Sequence, residues 1–183
     1  MNTITAQAST LCKHVQLMAH YNQWMNQKLY QAAAQLSEDE LMHDRGAFFK
    51  SIFATLNHIV VGDLIWLKRF SKGIANTNQA LDNLPLPSAL DQLMFNDLAS
   101  LSHFREQLDE TIKHVCAKLD DATLEGQLAY HDLQGHPLRK DFYSVLMHFF
   151  NHQTHHRGQL STLFSQAGVD IGVTDLNAIV PSL

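Results

Sequence analysis

Residues 148–159 read HFFNHQTHHRGQ and place four of the 12 histidines of the chain within about three turns of one predicted helix. This last long helix is predicted from about residue 141 to Gly168, because glycine suits the left-handed position that follows a helix end. Histidine is the commonest metal ligand and the side chain that titrates nearest to neutral pH. The directions in which the four histidines point therefore decide whether the helix can hold a metal ion.

Helical geometry sorts the four histidines by direction. At about 100° per residue, His156 lies within the apolar face of the helix and His152 lies at its edge, whereas His148 and His155 fall outside it. The i, i+4 spacing of His152 and His156 puts their rings one turn apart on one face, as a metal ion requires of two ligands on one helix. Two histidines rarely hold a metal ion alone, so we expect a third ligand on another helix.

The third ligand is not chosen by periodicity. The candidates are five histidines on other predicted helices: His14, His20, His58, His103 and His114. His58 has small neighbours one turn away, Ala54 and Gly62, which would leave space beside its ring. It also lies on the more polar side of its helix, with Asn57 and Lys68, which favours exposure. Both interpretations of His58 are open at this point.

Apolar periodicity predicts three further long helices, at about residues 11–36, 51–70 and 88–119. The stretch 74–88 is rich in asparagine and proline and predicts a long irregular connection. Residues 127–138 alternate weakly and predict either a β-hairpin or a lid-like loop. Four long helices without a strong strand pattern predict an all-α fold, a four-helix bundle with a long crossover connection.

Length and charge limit the possible functions. The 183 residues, 45% of them hydrophobic, predict one domain spanning residues 1–183. The net charge of −5 offers no basic surface for nucleic acid. No apolar run approaches the roughly 20 residues that span a bilayer, and the N-terminus lacks the pattern of a signal peptide. We therefore expect a cytoplasmic protein that binds neither nucleic acid nor a membrane, with Cys12 and Cys116 both free.

Two segments resemble the signature helices of the DinB family, a group of small metal-binding four-helix bundles: LNHIVVGDLIWLKRF at 56–70 and HFFNHQTHHRGQLSTLFSQAG at 148–168. YNQWMN at 21–26 resembles that family too, so the resemblance covers nearly the whole chain. In the family, one histidine of the second helix and two of the last long helix hold a divalent metal, usually zinc or nickel. The resemblance implies His58, His152 and His156 as ligands, with zinc as the first expectation and nickel as the second.

The implied ligand set has the open metal position that a metal-dependent enzyme requires. Three neutral imidazoles leave zinc an open position, as in catalytic rather than structural sites. Zinc can lower the pKa of a bound water to about 7 or hold a thiol as its thiolate. The resemblance implies a thiol transferase that uses a low-molecular-weight thiol, or a hydrolase, with an unknown small-molecule substrate. The lack of an H-E-x-x-H motif, whose glutamate serves as a base, favours the transferase.

The alternatives to an enzyme are a metal-binding module without turnover and a purely structural bundle that binds no metal. Because relatives in the family often pair, the resemblance also implies a homodimer. Neither the substrate nor the physiological metal follows from the sequence, since imidazole suits several transition metals.

Three further residues are candidates for the surroundings of the site. His148, one turn before His152, could hydrogen-bond a ligand or line the pocket. Gln159 could hydrogen-bond a water at the metal. Asp63 could orient a ligand ring or pair with Arg105 across the bundle, and we favour the ion pair because a buried carboxylate needs a partner.

Overall fold

The computed structural model describes residues 9–74 and 81–182. The elements in these ranges are α1 (Thr10–Ala33), α2 (Glu38–Met42), α3 (Ile52–Phe70), α4 (Leu98–Lys118), α5 (Asp121–Leu124), β1 (Gln127–His131), β2 (Pro137–Asp141), α6 (Phe142–Gln166) and a 3₁₀ turn at Leu176–Ile179. The described part is mostly helical with one small sheet, so the expectation of a helical fold is confirmed. None of its helices combines the length and the apolar character that crossing a bilayer requires.

Each long helix begins at a polar side chain that accepts a hydrogen bond from an N–H group of the first turn. These N-caps are Ser9 for α1, Ser51 for α3, Asp97 for α4 and Asp141 for α6. Helix α6 ends as predicted, because Gly168 takes a left-handed φ of +78° and the chain after it bonds back to carbonyls of the last turn. The caps fix where the helix carrying the histidine cluster begins and ends.

The four long helices pack around a common core, with α1 and α3 each in contact with both α4 and α6. The largest buried side chains include Phe53 and Phe70 of α3 and Phe149 and Phe164 of α6. Helix α3 is buried around almost its whole circumference, as expected of a helix that is apolar on nearly every side. His58 is buried for the same reason, which settles the conflict between its two sequence interpretations.

Apolar periodicity predicted that the third long helix begins near residue 88, but α4 begins at Leu98. The segment before α4 instead makes hydrogen bonds to α3. The Phe95 N–H donates to Asn57 Oδ1 at 3.1 Å, and the Leu90 carbonyl lies 2.7 Å from His58 Nδ1. Residues 84–97 therefore belong to the irregular connection. The predicted connection at 74–88 falls partly outside the described residues, at positions 75–80.

The stretch 127–138, predicted as either a hairpin or a loop, forms the antiparallel hairpin β1–β2 in which Gln127 pairs with Asp141. Its turn contains Gly135 with a φ of +85°, a conformation that glycine adopts without steric cost. Tyr130 of β1 is buried and its ring contacts Trp66 of α3. The hairpin thus covers the C-terminal half of α3 and leads directly into α6.

Candidate metal centre

Three histidines from two helices meet at one point of the core. His58 comes from α3, and His152 and His156 come from α6. One ring nitrogen from each lies within 4.8 Å of the others, and His156 Nε2 lies 3.1 Å from Nε2 of both His58 and His152. Across the described ranges no other group of three or more His, Cys, Asp or Glu side chains converges in this way. The remaining candidates for the third ligand do not join the group: His14, His20, His103 and His114.

Hydrogen bonds on the outer nitrogens fix the tautomers of two rings. His58 Nδ1 lies 2.7 Å from the Leu90 carbonyl oxygen, which can only accept, so Nδ1 carries the hydrogen. His156 Nδ1 faces Gln159 Oε1 at 2.8 Å, and the amide nitrogen of Gln159 contacts His155. The Nε2 atoms of the two neutral rings therefore direct lone pairs at each other. A cation between them would convert this repulsion into coordination, so the donor set fits a divalent metal.

The surroundings keep all three imidazoles neutral. Burial, together with the neighbouring histidines, lowers the pKa of His152 to about 3. Burial also lowers the pKa of His156, to about 4, against the opposing effect of its hydrogen bond to Gln159. The pKa of His58 is lowered by burial too, partly offset by its bond to Leu90. Because a metal binds only neutral imidazole, the three side chains are ready to act as ligands at pH 7.

Gly62 allows the ring of His152 to lie directly on α3. A Cβ atom at position 62 would lie 2.7 Å from Cε1 and 3.2 Å from Nδ1 of His152. The sequence had suggested that this glycine leaves room for His58, its neighbour one turn away. The structure corrects that expectation, because the space is filled from α6. A glycine in a helix interior costs about 1 kcal/mol, and here it permits a close ring contact.

Changing Gly62 to alanine is expected to weaken zinc binding by about 10- to 100-fold, the range typical of losing a group that orients a metal ligand. The added methyl group would displace the His152 ring from its place beside His156. A competition titration against a chromogenic chelator measures the change in Kd.

The matched control for this test is Gly158→Ala, a second glycine inside a helix. Apart from its chain neighbours and the backbone of its own helix, no heavy atom lies within 4 Å of a Cβ built there. Zinc affinity should therefore stay at the wild-type value while helix propensity improves by up to about 1 kcal/mol. Equal zinc affinity for Gly62→Ala and the wild type would show that the glycine has no part in placing the ligand.

Two residues that the sequence analysis missed shape the site from outside the long helices. Phe49, in the loop before α3, stacks on His58 with ring centroids 3.8 Å apart and an interplanar angle of 19°, and it meets His156 edge-on at 5.6 Å. Leu90, in the connection before α4, supplies the carbonyl that fixes His58. Phe49 lies before α3 and Leu90 lies in the irregular connection, so neither contact follows a helical period, and no local sequence pattern predicts them.

Of the three residues predicted to surround the site, Gln159 and His148 both lie near the ligand rings. Gln159 bonds the outer nitrogen of His156 and so orients a ligand ring. The His148 ring centroid lies 6.3 Å from that of His152, and the ring packs edge-on against Trp66. Neither residue is among the three that converge on one point.

Asp63 is fully buried and pairs with Arg105, the partner favoured from sequence. It also accepts a hydrogen bond from Gln153 of α6. Burial raises the pKa of Asp63, and both Arg105 and Gln153 oppose that effect. Its hydrogen bonds therefore go to two helices of the core and not to the ligand rings.

These contacts belong to a larger polar core network that joins all four long helices. Arg105 also pairs with Asp109 at 2.8 Å, and amide and guanidinium groups complete the connections. The polar core network consists of Asn22, Asn26, Asp63, Arg105, Asp109, Gln153 and Arg157. Two of its members directly follow the ligands His152 and His156 in α6, so the network and the ligands share the orientation of that helix.

Comparisons with known proteins identify the family of this chain. A model of the DinB family matches residues 9–180. The chain is 24% identical over 156 residues to protein DinB of Bacillus subtilis (strain 168), an alignment that covers 85% of this chain and 87% of that protein. A search of solved structures gave no significant match. Because the family match spans nearly the whole sequence, the chain belongs to the DinB family.

Proposed function

We propose that this protein is a four-helix bundle that binds one divalent metal ion through His58, His152 and His156 and acts as a metal-dependent enzyme on a small molecule. The observation that supports this proposal is the convergence of three Nε2 atoms. In two of the rings, the Nδ1 hydrogen is already donated to another hydrogen bond, so Nε2 carries a free lone pair. Zinc is the first choice of metal and nickel the second, since imidazole suits both.

Between the two enzyme classes we favour thiol transfer. A divalent ion with three protein ligands supplies Lewis acidity at an open position, which can hold a thiol as its thiolate or activate water. The groups that hydrogen-bond or stack on the ligand rings include the Leu90 carbonyl, the Gln159 amide and the Phe49 ring. Among the described residues no carboxylate hydrogen-bonds these rings, so hydrolysis would lack an adjacent general base.

The chain's own side chains would prepare the reaction site. Gln159 holds the His156 ring in its orientation, and Phe49 covers one face of His58. The exposed apolar side chains Phe48, Leu90 and Leu93 belong to the two loops that contact His58. These groups would exclude water from one side of the centre and present an apolar surface to a substrate.

The test compares two reactions of the zinc-loaded full chain. We expect conjugation of glutathione to 1-chloro-2,4-dinitrobenzene above the uncatalysed rate, and no hydrolysis of 4-nitrophenyl acetate, both followed by absorbance. Zinc-dependent ester hydrolysis without conjugation would instead support the hydrolase. Turnover in neither assay by a zinc-loaded chain would favour a binding module. The homodimer and the cytoplasmic location stay predictions.

A further inference from the structure

A cavity of about 700 Å³ lies beside the C-terminal end of α3. One wall comes from α3 and the turn that follows it, a second from the connection before α4, and a third from the β1–β2 turn. The residues that carry the argument are Ile65, Lys68, Arg69, Lys72, Asp82 and Asp132. Three of these six side chains are cationic and two are anionic.

Arg69 is the most constrained cation in this cavity. Its guanidinium lies over the rings of Trp66 and Tyr130, with its Cζ atom 4.5 Å and 4.9 Å from their centroids. Within residues 9–74 and 81–182 this guanidinium has no hydrogen bond or ion pair with a carboxylate. Burial lowers the pKa of Arg69, and Tyr130 and Asp132 offset this only in part. The aromatic contacts thus hold a charged donor group in place and leave its hydrogens uncommitted.

The two carboxylates of the cavity are committed to other partners. Asp132 accepts hydrogen bonds from the backbone N–H groups of Gln134 and His136 in the β1–β2 turn, at 2.9 Å and 2.8 Å. Asp82 accepts from Ser71, and Lys68 donates to the Asp82 backbone carbonyl and not to its carboxylate. The three cations still exceed the two carboxylates by one charge, and among the described residues neither carboxylate hydrogen-bonds Arg69.

The cavity and the metal centre lie along one face of α3. At about 100° per residue, Ile65 and Arg69 point within about 20° of His58, and they lie roughly 10 Å and 16 Å from it along the helix axis. The connection that bonds His58 through Leu90 also lines the cavity through Leu86. The two sites therefore lie on the same side of α3, within the length of one elongated ligand.

We propose that this cavity is an oxyanion subsite, which binds a carboxylate or phosphate group at one end of a substrate whose other end reaches the metal centre. The fork of donors on Arg69 matches the paired oxygens of either anion, and Lys68 and Lys72 add charge. The link to a substrate rests on the proposed function. Anion binding by the cavity itself does not.

The test is isothermal titration calorimetry on the metal-free full chain. The probes are succinate, inorganic phosphate and succinamide, which has the shape of succinate without its charge. We expect one of the anions to bind about tenfold or more tightly than succinamide. Arg69→Gln should weaken the binding of that anion by about tenfold, as expected for losing hydrogen bonds to a charged group. The preferred anion distinguishes a carboxylate substrate from a phosphate substrate.

The matched control is Arg139→Gln, an exposed arginine on β2 that does not line the cavity, which should bind the anion as the wild type does. If Arg69→Gln fails to fold, Lys72→Gln replaces it, since Lys72 is exposed, and should also weaken binding. Equal binding of the anions and succinamide, or equal anion affinity in the wild type and the cavity variants, would overturn the subsite. Because no metal is present, these outcomes are independent of whether the metal centre is correct.

Discussion

Replacing Asp63 with alanine is expected to lower the free energy of unfolding by about 3 to 5 kcal/mol, the cost of removing one partner from a buried ion pair. Asp63 is fully buried and its carboxylate receives hydrogen bonds from Arg105 of α4 and Gln153 of α6. Without it, Arg105 keeps only Asp109 and Gln153 loses its acceptor. Urea denaturation of the metal-free chain, followed by circular dichroism, measures the loss.

The control for this prediction is Glu110→Ala, which removes an exposed carboxylate that contacts Lys113 and Gln23. An exposed pair contributes less than about 1 kcal/mol. Asp63→Asn keeps an acceptor for Gln153 and should cost less than the alanine variant. A loss for Asp63→Ala as small as that for Glu110→Ala would contradict the role of the polar core network. Absence of a cooperative transition would mean that the loss exceeds the total stability.

Replacing His156 with alanine is expected to weaken zinc binding by more than the roughly 100-fold that removal of a ligand's outer partner can cost. His156 Nε2 lies 3.1 Å from the corresponding atoms of both His58 and His152, so it is the central donor of the three. Without it, only the rings of His58 and His152 remain as donors for the metal ion. Competition with a chromogenic chelator gives the Kd of both proteins.

The control for His156→Ala is the adjacent His155, which is exposed and directs its Nε2 toward the Gln159 amide. His155→Ala removes a histidine from the same turn and should change zinc affinity by only the small amount that follows from freeing Gln159. A similar loss of zinc in both variants would show that the cluster binds metal through its surface. Unchanged affinity in both would show that His156 is not a ligand.

The boundaries of the helices could be predicted where the sequence carries local signals. Helix α6 follows its apolar period from a capping Asp141 to the left-handed Gly168. The start of α4 could not be predicted, because apolar residues such as Met94 continue the period into the connection. There, His58 Nδ1 of α3 donates to the Leu90 carbonyl and the Phe95 N–H donates to Asn57 Oδ1 of α3, and both bonds hold the chain out of a helix. Such long-range contacts leave no periodic signal.

The candidate site could also be predicted from the sequence only in part. Helix α6 has one polar and one apolar side, so angles alone selected His152 and His156. Helix α3 is buried on almost every side, so angles carried no information about His58, and only the family resemblance selected it. Gly62 was noticed but assigned to the wrong ring, since its true neighbour lies on another helix.

The polar core network was visible from the sequence only in part. Asp63 within an apolar face and Arg105 within an apolar seam each require a partner, which is enough to predict that they meet. The asparagines of α1 and Gln153 carry no such requirement, because neutral amides are common on helix surfaces. Their contacts with Asp109 and Asp63 depend on how the helices pack and not on any local pattern.

The most direct measurement of the central claim is an anomalous difference map, recorded at the zinc absorption edge, from crystals of the zinc-loaded wild-type chain. We expect one strong peak per chain, about 2.0–2.1 Å from the Nε2 atoms of His58, His152 and His156. A zinc ion held by other residues, such as His148 and His155, or the absence of a peak between the three rings would contradict the assignment of the metal centre.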